Sequence, residues 1–173
     1  EQAETAKQQT ERLTEAKLQV EPLAQECQGL EKELAAARES LSEFYQPLGA
    51  AAFAAQLAGQ VKDVSVLANR LALHEKVTQL RQESEALTPS ADTKLLGKAK
   101  AKAQQLAIAG KIKIEETKIG KLDKQIGQQL LGEQQEETVR CEGTSAILDQ
   151  ISERRSKISE KEGKVAESTA AFA

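Results

Sequence analysis

Residues 44–61 read FYQPLGAAAFAAQLAGQV. Phe44, Tyr45 and Phe53 lie within this stretch, three of the four aromatics in a chain otherwise dominated by Glu, Gln, Lys and Ala. It could be a membrane insert, a hinge or a packed helix contact. Its apolar part, LGAAAFAAQLAG, is half alanine and much shorter than the roughly 20 residues a membrane-spanning helix needs. Pro47 lacks an N–H and disfavours helix in the residue before it, so the spacing predicts that a first helix ends or bends at Gln46.

Upstream of that break, Leu13, Ala16, Val20, Leu23, Cys27, Leu30, Leu34, Ala37, Leu41 and Phe44 follow one another at alternating intervals of three and four. Such a heptad seam, flanked by charged residues, predicts a left-handed coiled coil. Pro22 is discordant and marks a kink or the limit of a frayed end.

Downstream, helical spacing resumes through Phe53, Leu57, Val61, Val64, Ala68 and Leu71, then Val77, Leu80 and Leu87. The run TPSAD, 88–92, is the clearest turn: Pro89 stops the helix, and Ser90 or Asp92 can cap the next one. Beyond it Ile112, Ile119 and Ile126 repeat at seven with Leu122 in support, and Ile151, Ile158, Val165 and Phe172 repeat at seven in another phase. The change of phase implies a stutter near Gly132.

The expected architecture is therefore all-α. It is a long antiparallel helical hairpin or coiled coil that reverses near 88–92, a single elongated domain with arms 1–87 and 92–173. Each arm would be roughly 120 Å long at 1.5 Å per residue, with residue n facing approximately residue 180 − n. Reversal at all three breaks would instead give an up-down-up-down four-helix bundle of helices about 40 residues long. In the hairpin register Gly120, Gly127 and Gly132 face the Ala-rich 48–60, which would let the backbones approach closely and offset the cost of glycine within a helix.

Composition agrees with long helices: 29% of residues are charged and 2% aromatic. Residues 1–46 carry net charge −5 and residues 93–132 net charge +6. Within KLLGKAKAKAQQLAIAGKIKIEETKIGKLDK, 94–124, every basic residue is a lysine. Lysines suit diffuse attraction to anionic surfaces better than bidentate base reading, and no aromatics interleave with them for base stacking. Lys98, Lys100, Lys102, Lys111 and Lys113 are the candidate contacts to an anionic membrane surface, with Leu95, Leu96, Leu106, Ile108 and Ile112 as the apolar side of a surface-lying helix. The plainer reading is a solvated face that complements the acidic segments.

His74 lacks the Glu-x-x-His companion of a di-iron bundle, and Cys27 and Cys141 lack the further ligands of a zinc site. No phosphate-binding or nucleophile-elbow motif is present. The chain begins at Glu1 and contains no Met, so it reads as a segment of a larger, processed or membrane-anchored protein. The function expected is a non-enzymatic scaffold or spacer with a protein partner or a second copy, using no cofactor, metal or small-molecule substrate. Binding to an anionic membrane surface is the alternative, and nucleic acid is disfavoured. The seam residues expected to carry it are Leu13, Val20, Leu30, Leu34, Leu41, Phe44, Phe53, Leu57, Ile112, Ile119 and Ile126.

Overall fold

The computed structural model describes residues 2–62, 64–89 and 95–170; in the first helix, side chains are described at Thr14 and from Val20 onward. All regular structure among these residues is helical: α1 (Gln2–Ser42), α2 (Tyr45–Leu57), α3 (Ala68–Ala86), α4 (Leu95–Gly132) and α5 (Glu142–Ala170), with 3-10 turns at Ser65–Leu67 and Glu136–Thr138. The chain forms two compact units, one of 1–42 with 151–173 and the other of 43–150; the boundary between them falls within α5.

The proline break lands earlier than Gln46. α1 ends at Ser42, and Pro47 lies in the first turn of α2. The physical reason is that a proline ring collides with the carbonyl four residues back, here that of Glu43, whereas first-turn N–H groups have no partner inside the helix anyway. Leu48 N–H resumes the ladder to Phe44 O at 3.0 Å. Pro22, by contrast, lies inside α1 without ending it.

A second break escapes the periodicity. Gly59 has φ of 70°, Gln60 N–H reaches Ala55 O at 2.9 Å, and Gly59 N–H reaches Gln56 O at 3.0 Å. These bonds close α2 with a Schellman motif, in which glycine takes the left-handed position at no steric cost. The chain then runs through an extended Val64 into the fully buried Leu67, and α3 begins.

α3 and α4 are antiparallel, as expected of a reversal near 88–92: Lys76 meets Glu115 at 2.8 Å, Arg81 meets Glu116 at 2.8 Å, and Gln105 donates to Ser84 O at 3.2 Å. The expected caps Ser90 and Asp92 lie outside the described residues. α2 also lies antiparallel on α4. A Cβ built on Gly49 would run into Asp123 O, and one built on Gly127 would run into Tyr45 O. This is the expected small-residue contact, shifted in register. Gly127 and Gly120 face Tyr45 and Gln46, whereas Gly132 meets open space.

The register differs because the first arm is not one helix. Under the 180 − n relation Gly49 faces Leu131 and Arg70 faces Gly110; in the structure both meet Asp123. The chain doubles back after Gly59, so α2 and α3 lie along the same part of α4. Leu48, Ala52, Phe53, Leu67, Val77, Ile126 and Leu130 are buried in this unit, each large one contributing about 1.5–3 kcal/mol.

Near Gly132 the expected stutter takes the form of a helix break. Gln135 N–H bonds Leu130 O at 2.9 Å around Gln134, whose φ is 54°. The next helix is capped at Cys141: its N–H donates to Thr144 Oγ1 at 2.9 Å, and the same buried hydroxyl donates to Val139 O at 2.6 Å.

In the other unit α1 and α5 are antiparallel, tied by Arg38–Glu162 at 2.7 Å and Lys161–Glu33 at 2.5 Å, with Cys27 Sγ 3.9 Å from Thr169 Oγ1. Leu34, Ile151 and Ile158 are buried. Phe172 lies outside the described residues.

Candidate functional site

Asp123 is a buried carboxylate of the larger unit at which three helices meet. It is buried on the inner side of α4, where its backbone abuts Gly49 of α2 and its Oδ1 accepts from Arg70 Nε of α3 at 2.7 Å. The Arg70 guanidinium carbon also lies 4.2 Å from the centre of the Phe53 ring, a cation–π arrangement. His74 meets the same ring edge-on, with centroids 5.5 Å apart. One turn of three helices is thus joined by a carboxylate, a guanidinium and two rings.

Two turns earlier on α4, Glu115 repeats the device. Its Oε1 accepts from Lys76 at 2.8 Å and Lys118 at 3.0 Å. The Lys76 hydrogen bond, followed by that of Lys118, holds the Glu115 carboxyl below its ordinary range, outweighing the opposing effect of burial. These geometries fix helices against one another. Among the described residues no group of three or more His, Cys, Asp or Glu could hold a metal ion, and no helix is long and apolar enough to cross a membrane. Cys27 and Cys141 are free thiols.

The expected seam residues divide by depth. Leu34, Phe53 and Ile126 are buried; Leu30, Leu41, Phe44, Ile112 and Ile119 are partly buried. Val20 and Leu57, expected in the seam, are half exposed, at 50% and 51%. For Leu57 the reason is local: α2 buries the face of Leu48, Ala52 and Ala55, and the helix ends as Leu57 turns off that face. Leu13 lies outside the residues whose side chains are described. Lys98, Lys100, Lys102, Lys111 and Lys113 are all exposed on the first half of α4.

Arg70, Asp123 and Glu115 were not among the expected residues. A signal for the two acids existed, because Ile112, Glu115, Ile119, Asp123 and Ile126 follow one another at helical intervals of three or four and so share one face. An acid in such a stripe needs a basic partner on the facing helix. Comparison with protein-family models, curated proteins and solved structures finds no match for this chain.

Proposed function

We propose that the protein is a non-enzymatic helical scaffold or spacer, whose heptad-spaced faces act as coiled-coil surfaces for a protein partner, a second copy of the chain being the simplest. The observation that supports this reading is how the buried charges are used. Asp123 and Glu115 are each bonded to basic side chains of a neighbouring helix, so both serve the placement of helices. Apolar residues at heptad spacing, Val20 on α1 and Leu71 on α3, remain exposed at 50% and 39%. Exposed apolar side chains in helix register are what a further helix would cover.

Sedimentation equilibrium over a roughly hundredfold range of concentration tests the self-association mechanism by mass action. The expected result is a concentration-dependent rise in mass that Val20→Asp weakens. A constant monomer mass across the range overturns it.

A further inference from the structure

The first half of α4 is two-sided in an unusual way. At 100° per residue, Gln105, Ile108, Ile112 and Glu115 share the side turned to α3, consistent with the Ser84–Gln105 and Lys76–Glu115 bonds. Ile108 and Ile112 therefore do not belong with the exposed apolar side chains. The opposite arc, about 100° wide, carries Leu95, Leu96, Leu106 and Ile114 among alanines, exposed at 89%, 87%, 67% and 59%. The outer face of a helix in a water-soluble bundle is ordinarily polar. Here it is apolar, and lysines border it on both sides: Lys98 and Lys102 along one edge, Lys100 and Lys111 along the other, with Lys113 at the margin. No acid occurs in α4 before Glu115.

We infer that this face docks, lying flat, on an anionic lipid surface. Each feature matches a requirement of interfacial binding. An apolar stripe enters the headgroup boundary, long lysine stems on both flanks lie along it, and the ammonium groups reach lipid phosphates or carboxylates. A second copy of the same face is a poor occupant, because it would bring lysine borders against lysine borders. Nucleic acid would leave the leucines without a role. The stripe has no aromatic anchor, so charge must supply much of the binding and salt must weaken it. The inference is independent of the scaffold reading, which concerns Val20 and Leu71.

The test is flotation of the whole chain with vesicles of phosphatidylcholine alone and with roughly 30 mol% phosphatidylserine added. Flotation is expected only with the anionic lipid and should decline as salt rises. Each basic residue near such a surface is worth roughly fivefold in partitioning, so Lys102→Glu with Lys111→Glu should reduce binding by about 25-fold or more. Leu106→Ser should reduce it several-fold while leaving the salt dependence intact. Circular dichroism on the same samples checks that these exposed substitutions preserve helicity. Absence of anionic-dependent flotation, or flotation indifferent to both variants, overturns the inference. So does tighter binding to a DNA duplex that Leu106→Ser leaves unchanged.

Discussion

Arg70 Nε and Asp123 Oδ1 lie 2.7 Å apart with their side chains 11% and 5% exposed. The pair joins α3 to α4 where water cannot replace a lost partner. Asp123→Ala should lower stability by about 3–5 kcal/mol, since it leaves a buried guanidinium unpaired. Replacing both residues, as Arg70→Met with Asp123→Leu, should cost less than the sum of the single changes. Chemical denaturation of the four proteins measures the coupling, and simple additivity would sink the assignment.

Gly49 and Gly127 each face backbone of the opposing helix, which no rotamer change can clear. Gly49→Ala and Gly127→Ala should each lower stability by about 1–3 kcal/mol or more. Gly110 meets open space within α4, so Gly110→Ala should raise stability by about 0.5–1 kcal/mol. Thermal melts of the three variants give the comparison, and equal effects at all three sites would contradict the close crossing.

Gln134 holds the left-handed conformation that ends α4 without the freedom of glycine. Gln134→Gly should stabilise the protein by about 0.5–1 kcal/mol, because left-handed backbone costs a non-glycine residue roughly 1–2 kcal/mol and glycine returns part of that as unfolded-state entropy. A denaturation midpoint unmoved or lowered by this substitution would refute the cap.

Glu115 is held below its ordinary value of 4.5 by Lys76 and then Lys118, and Glu33 is lowered by its hydrogen bond from Lys161. A carboxyl whose folded value is depressed contributes its full stability above the unfolded value and loses it as pH falls through the folded value. Melting temperature should therefore hold steady from about pH 7 to 5 and drop below roughly pH 4.5. Glu115→Gln should flatten that acid limb. An unchanged limb in low salt would remove Glu115 from the explanation.

Leu34 is the deepest described side chain of α1, at 8% exposure. Leu34→Asp should cost at least about 2 kcal/mol through lost burial, with charge desolvation added. The helical circular-dichroism signal followed with temperature reads it out, and an unchanged melt would mean that α1 has no seam at this position.

Spacing alone marked α1 as a helix and the chain as all-α with a reversal after α3, because a long run of apolar residues at intervals of three and four fits no strand. It failed at Gly59 for a definite reason. Phe53, Leu57, Val61 and Val64 keep helical intervals across the turn, and intervals carry no information about the sign of φ. Sequence alone does not show that Asp123 and Glu115 are buried, because their burial depends on partners far off in sequence, Arg70 and Lys76. The exposed face of α4 was half legible: the lysines were evident, but the helix is apolar on both arcs, and its own sequence does not say which arc α3 covers.

Gly49 of α2 and Arg70 of α3 meet a single residue, so the connection between these two helices is already pinned at both ends. Doubling the length of a flexible closed loop costs only about 0.6 kcal/mol. The exposed Ala58–Gln60 bend is therefore where this unit should accept an inserted peptide, such as an epitope or a binding sequence. The helix crossing at Asp123 would then carry that graft as a fixed base.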